Sequence, residues 1–340
     1  MGQTSWMERD INESDLYSFA DPLRFGDDES HESALISSLS ATPAFRRLAD
    51  IRFLGGLDYA LIPHPNGAKG NSRYTRAQHS HGVATLARHY LSLTEHNPGE
   101  RLLCVAAAML HDIGHAPFSH TLEPLFQEAF GTNHHKSSED IIRGNHPLGI
   151  EIAESLLSFN ISPSSVIDIL NGEDVRFSRF FSGPINFDTI EGILRSATYC
   201  GWPHLGLTPN RVVEASTSWN SEADYEVVDK FWITKDNVYN LIIRSPAGVL
   251  VDTLFQEVVK HSQMLDDNDF FRSESYMFRK IPALRLIESQ NVTDFQLRGL
   301  LPREVNYVKR EFYVDRSSMD RETSGGRYRQ RKSKRSLTIS

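Results

Sequence analysis

The stretch Ala106-Ala107-Ala108-Met109-Leu110-His111-Asp112-Ile113-Gly114-His115-Ala116-Pro117-Phe118-Ser119-His120 decides how the rest of the chain reads. An apolar helical run ends in a burst of histidines and an aspartate and is then broken by Gly114 and Pro117, so ionisable groups arrive at the mouth of a core. His111 and Asp112 offer an imidazole nitrogen and a carboxylate oxygen, a donor set for a divalent cation once a helix end lets both side chains turn the same way. Two donors do not complete a site, so further ligands are expected from elsewhere in the fold.

Upstream, Thr42-Pro43 reads as an N-cap followed by proline at the first helical position, and Phe45, Leu48 and Ile51 follow at helical spacing as the first core helix. The stretch from Ile62 to Tyr74 is a loop by its proline, glycine and asparagine content, and within it Lys69 and Arg73 could meet a phosphate. It leads to Arg76 and His79, which open a helix through Val83, Leu86, Ala87 and Tyr90 until Asn97-Pro98-Gly99 ends it. The next helix runs from near Glu100 to His111. Downstream, helices are expected over 122–130 and 137–143, the second from a Ser-x-x-Asp cap, with two more opened by Pro147 and by Ser162-Pro163. Asp188 then precedes Ile190, Ile193, Leu194 and Ala197, again at helical spacing.

This succession predicts an all-α fold, a helical bundle with a mostly helical C-terminal extension and a strand or two near 305–314. The expected division is a loose acidic leader over 1–33, a core over 34–202, an extension over 203–316 and a basic, disordered tail over 317–340.

With 39% apolar and 24% charged residues, the 340-residue chain has the composition of a soluble globular protein. No run approaches the ~18 apolar residues of a membrane span, so a cytoplasmic protein without membrane association is expected. Cys104 and Cys200 are the only cysteines, too few for a disulfide framework. The net charge of −8 divides unevenly: residues 321–340 carry +6 and the rest −14. An acidic body excludes extensive nucleic-acid binding over its surface, while the tail remains able to contact nucleic acid or an acidic partner.

Four residues are the candidate metal ligands: His79, His111, Asp112 and Asp188. Two imidazoles and two carboxylates, with waters, suit Mn, Mg, Fe, Ni, Co or Zn without choosing among them. Each histidine taken singly reads better as a hydrogen-bonded core or surface residue than as a ligand.

Together, the lone His79, the adjacent His111-Asp112 and the distant Asp188 resemble the HD-domain metal-dependent phosphohydrolases. The likeness extends to the deoxynucleoside triphosphate triphosphohydrolase branch through Phe45-Arg46-Arg47-Leu48 with Leu54-Gly55, Arg76-Ala77-Gln78-His79-Ser80-His81-Gly82-Val83, and His111-Asp112-Ile113-Gly114-His115 with Pro117-Phe118-Ser119-His120. It spans roughly residues 43–201. The resemblance implies that His115 and His120 face the phosphates, that Glu123 orients one of them, that His135 lies nearby with His134 able to exchange roles with it, and that Arg76 offers a fixed positive fork to a phosphoryl oxygen. It also makes a homo-oligomer an expectation. Three positions depart from that branch. Phe53 stands where the branch has a glutamine that touches the sugar, Thr189 replaces a phosphate-binding lysine, and Gly192 replaces a tyrosine that lines the nucleotide pocket.

The expected function is therefore metal-dependent hydrolysis of a phosphoester or phosphoanhydride in a nucleotide or related phosphorylated metabolite, with water activated by the metal and a histidine assisting departure. The alternatives are a nuclease or phosphodiesterase acting on single-stranded nucleic acid with the tail as anchor, and a non-catalytic nucleotide-binding regulator.

Overall fold

The computed structural model describes residues 31–60, 74–202, 206–289, 299–318 and 326–339. Lys69 and Arg73 lie outside these described residues, as does the leader up to residue 30.

Helices dominate, in the order α1 (His31–Ala41), α2 (Pro43–Leu48), α3 (Leu57–Ala60), α4 (Arg76–Leu93), α5 (Pro98–Leu110), α6 (Glu123–Phe130), α7 (His134–Ile142), α8 (Ile150–Ser158), α9 (Pro163–Leu170), α10 (Ser178–Phe181), α11 (Phe187–Tyr199), α12 (Pro209–Ser218), α13 (Glu222–Val238), α14 (Pro246–Ser262), α15 (Glu274–Lys280) and α16 (Leu284–Ser289). The expected all-α fold is the observed one, with an antiparallel ribbon of β1 (Glu304–Val314) and β2 (Tyr328–Thr338) added among the described residues.

Helix α5 is the axis of the bundle. Cys104 to Leu110 are all fully buried, the pattern of a helix apolar on every side, and α1, α4 and α9 pack around it. Both long site-bearing helices start from capping boxes, Thr75 with Gln78 on α4 and Asn97 with Glu100 on α5. Each box satisfies backbone donors that a helix start leaves open, worth about 0.5–2 kcal/mol for the cap residue. Helices α4 and α5 pack together joined by a short turn, so the first turn of α4 lies beside the last turn of α5. Helix α11 packs on α4, α12 and α13, which brings the start of α11 to the same end.

The sequence reading placed the first core helix at Thr42-Pro43. The structure puts α1 before it, with Leu35, Ile36 and Leu39 buried and Glu32 accepting from Arg88 (2.9 Å) and Arg101 (2.7 Å). The leader boundary at residue 33 therefore cuts into an ordered helix. Helix α7 likewise starts at His134 from an Asn133 cap, earlier than the Ser-x-x-Asp expectation.

The tail requires a larger correction. Its basic composition read as disorder, yet residues 328–338 pair with β1 along their whole length, from Val314 opposite Tyr328 to Glu304 opposite Thr338. Burial at its base explains the order. Arg327 forms two bonds to the Asp229 carboxylate (2.8 and 2.7 Å), Tyr328 donates its hydroxyl to the same group (3.0 Å), and Trp232 donates to the Arg329 carbonyl. Phe312 of β1 meets Trp232 edge to face at 5.4 Å.

Candidate metal centre

His79 sits one turn into α4 and is fully buried, while His111 caps the C-terminal end of α5, where unpaired carbonyls favour positive charge. Asp112 follows in the turn, and Asp188 occupies the first turn of α11 behind an Asn186 cap. Their atoms converge. His79 Nε2 lies 3.2 Å from His111 Nε2, 3.0 Å from Asp188 Oδ1 and 3.5 Å from Asp112 Oδ2; His111 Nε2 lies 3.4 Å from Asp112 Oδ2.

Hydrogen bonds behind the histidines fix which nitrogen faces the centre. His111 Nδ1 is 2.9 Å from the Ala108 carbonyl oxygen, which can only accept, so Nδ1 carries the proton and Nε2 a lone pair. His79 Nδ1 meets the Glu191 carboxylate with the same result. Burial opposes ionisation of Glu191, but Arg195 and His79 outweigh it and hold its carboxyl below the ordinary range. Two imidazole lone pairs and two carboxylates facing one another at this distance repel unless positive charge lies between them. Burial disfavours charge on His79, yet Glu191, Asp188 and Asp112 still pull its pKa up to about 9. The donor set fits a divalent cation, with Glu191 as the outer carboxylate that orients a ligand imidazole.

Arg76, expected to meet substrate, is buried and donates to Asp112 Oδ2 (2.6 Å) and Ser119 Oγ (2.9 Å). Its observed contacts make it a clamp on the metal-side carboxylate. The turn carrying Asp112 is tied from outside by Arg47, which donates to the carbonyls of His115 (2.7 Å) and Ile113 (2.9 Å). Gly114 is required there: a Cβ would come within 2.4 Å of the His134 carbonyl and the Ser138 nitrogen, so a bare backbone lets the start of α7 close over the turn. Beyond it, Phe118 and Ser119 take positive φ (60° and 50°), a strained turn that aims His120 back toward the centre.

A second group lies alongside. His115, His120 and His134 each bring a ring nitrogen within 4.8 Å of the others. His115 stacks on His134 at 4.4 Å, and its Nε2 is 3.2 Å from Asp112 Oδ1, so Asp112 joins the two groups. Burial and the Arg76 guanidinium hold His115 well below its ordinary pKa, keeping it neutral. Glu123 meets His120 Nδ1 at 3.0 Å and His134 Nδ1 at 2.5 Å, and accepts the His134 N–H at 3.0 Å. Burial would raise the Glu123 carboxyl, but its two histidine partners keep it well below the ordinary range.

The structure thus brings together His79, His111, Asp112 and Asp188, and beside them His115, His120 and Glu123. His134 takes the position in the Glu123 network, while His135 is exposed, its ring against His134 at 4.0 Å. Glu191 escaped the sequence reading. Its only signal was an acid within the apolar run after Asp188, four residues before Arg195.

Residues 76–171 match the HD domain family. That stretch is an HD domain, and it contains His79, His111 and Asp112 of the cluster. Among relatives of this HD-domain chain, the uncharacterized MG461 homolog of Mycoplasma pneumoniae is 23% identical over 300 residues, covering 82% of this chain and 67% of the relative. The deoxynucleoside triphosphate triphosphohydrolase SAMHD1 of Danio rerio is 38% identical over 115 residues, 32% of this chain and 17% of that protein. The uncharacterized relatives are matched over 54–67% of their own length, so the chain spans about half to two thirds of them. A phosphohydrolase from Bacteroides thetaiotaomicron shares the fold, with a TM-score of 0.59 at 16% identity over 86% of this chain and 89% of that one.

Proposed function

We propose that this HD-domain chain hydrolyses a phosphoester or phosphoanhydride bond of a nucleotide or related small phosphorylated metabolite, with a divalent cation at His79, His111, Asp112 and Asp188. The observation that carries the reading is the convergence of four metal-competent atoms, each histidine preset by a partner behind it, beside three more histidines. A cation held there supplies Lewis-acid polarisation of a phosphoryl oxygen and activation of water.

The chain's own groups supply the rest. Arg76 and Ser119 hold Asp112 in its orientation. Glu123 presets His120 and His134 with Nδ1 turned toward itself and Nε2 turned away. Protonation at Nε2 of either ring gives a cationic donor whose charge Glu123 balances, suited to protonate a departing oxygen. His115, neutral and anchored to Asp112, positions the stack between them. The SAMHD1 relatives support nucleotides as the substrate class, and a homo-oligomer in the cytoplasm belongs to the same reading. Among the described residues no helix is long and apolar enough to cross a membrane.

The test is a panel of nucleoside mono-, di- and triphosphates, cyclic nucleotides and short oligonucleotides, run with Mn, Mg, Ni and Co and with Asp112→Ala as control. Metal-dependent phosphate release lost in the control supports the reading; metal uptake without turnover of any member would favour a regulatory protein.

A second reading has its own observation. The β1–β2 ribbon carries Lys309, Arg310, Arg329, Arg331, Lys332, Lys334 and Arg335 against Glu304 and Glu311, a cationic ribbon on an acidic body. Nucleolytic cleavage anchored by this ribbon is supported if mononucleotides are released from an oligonucleotide and release weakens in Arg331→Ala/Lys332→Ala.

A further inference from the structure

A cavity of about 130 Å³ opens against the candidate metal cluster, and its lining combines polar and apolar side chains. The polar part of the lining is His111, Asp112 and Asp188 of the cluster, with His134 and His135. The apolar part of the lining comes from α9, α10 and the start of α11, with Leu170, Phe180, Phe181 and Phe187. The aromatic part is preassembled. Phe180 and Phe187 stack at 4.8 Å with 12° between their planes, and Phe181 meets Phe187 edge-on at 5.6 Å. Phe180 and Phe187 are buried, while Phe181 is partly exposed and offers ring surface to an occupant.

Charge and size both limit that occupant. The lining brings three carboxylates to the cavity, Asp112, Asp188 and Glu139. A cation at the cluster offsets part of this charge, and each phosphoryl group beyond the first adds negative charge to a lining that also carries Glu139. The volume is below the ~300–1,000 Å³ of sites that enclose drug-sized ligands, and a nucleoside is of that larger kind. On the far side of His79 space is also closed: the Phe53 ring lies 4.7 Å from the His79 ring and stands against Gly192.

We infer that this site is built for a phosphate monoester with one phosphoryl group and a compact aromatic leaving group seated on Phe181, and that it discriminates against nucleoside triphosphates. The inference rests on the hydrolase reading above and narrows it. Hydrolysis then breaks the P–O bond to the leaving alcohol or phenol, water supplies the new P–O bond, and the proton from water ends on the leaving oxygen.

The experiment uses the full metal-loaded chain with phenyl phosphate, methyl phosphate and deoxyadenosine triphosphate, alongside Phe181→Ala. Phenyl phosphate is expected to exceed the triphosphate at least tenfold in kcat/KM. Phe181→Ala should raise KM about tenfold for phenyl phosphate and leave methyl phosphate and metal content unchanged. Equal or better use of the triphosphate, or no selective effect of Phe181→Ala, overturns the inference while leaving the hydrolase reading intact. Binding separates the remaining case, with protein-bound metal checked throughout. If no ester is turned over, phenylphosphonate binding that weakens in Phe181→Ala upholds the substrate class and sinks the hydrolase reading. Tighter binding of tripolyphosphate than of phenylphosphonate overturns the substrate class.

Discussion

Phe53 and Gly192 occupy one space: a Cβ built on Gly192 would lie 3.3 Å from Phe53 Cζ and 3.7 Å from His79 Cε1. The two departures from the triphosphohydrolase pattern are therefore one structural change. A large ring on one side of His79 is accommodated because the facing helix carries no side chain. Gly192→Tyr should destabilise the fold by about 1–3 kcal/mol through overpacking, and Phe53→Ala should relieve most of that penalty in the double variant. Denaturant unfolding of the four proteins checks it; additive effects would mean that the residues do not share the space.

Glu191 meets the candidate ligand set through His79. Glu191→Gln should weaken metal binding by about 10–100-fold, the range for outer-shell partners of a ligating histidine. Metal content after dialysis against graded chelator reads this directly. Because Arg195 loses its buried partner, thermal unfolding is measured in parallel, and an affinity loss explained wholly by unfolding would remove Glu191 from the site.

Glu123 holds two histidines at once, and an amide has a single acceptor oxygen for them. Glu123→Gln should lower kcat by about 10²-fold, in the range of general acid–base contributions, with metal content unchanged. Unchanged kcat would falsify its role in presetting His120 and His134.

The ribbon is tied to the body through a buried carboxylate. Ending the chain after residue 315 deletes Arg316, Arg327 and Tyr328 and leaves Asp229 without these three partners. Removing one side of a buried ion pair destabilises by about 3–5 kcal/mol, so the truncated chain should unfold at a markedly lower temperature than the intact one. A disordered tail would give no change.

Glu274 sets a pH dependence away from the metal. Its carboxylate accepts the N–H groups of Arg52 (2.8 Å) and Phe118 (3.0 Å) and pairs with the Tyr59 hydroxyl, yet burial pushes its pKa up to about 8. The folded state then binds a proton that the unfolded chain releases near its ordinary value of about 4.3. Its stabilising contribution is complete below that value and is lost as pH rises toward 8. Melting temperatures across pH 5 to 8 should fall in the native chain and fall less in Glu274→Gln; parallel curves would exclude Glu274 as the source.

The sequence by itself determined the helical class and pointed to the four candidate metal ligands that the fold brings together. Helix periodicity and caps are local properties, and His79, His111-Asp112 and Asp188 stand at helix ends that proline, glycine and asparagine mark. What only the tertiary structure decided are the relationships between distant segments. Nothing near Glu191 in the chain says that it lies behind His79, or that Glu123 selects His134 in place of His135, because those contacts depend on how α4 packs on α11 and α6 meets α7. The ribbon is the sharpest case. Local composition from Arg327 to Arg335 reads as disorder because charge resists collapse, but Asp229 and Trp232, about a hundred residues earlier, provide the buried partners that make the same residues a strand.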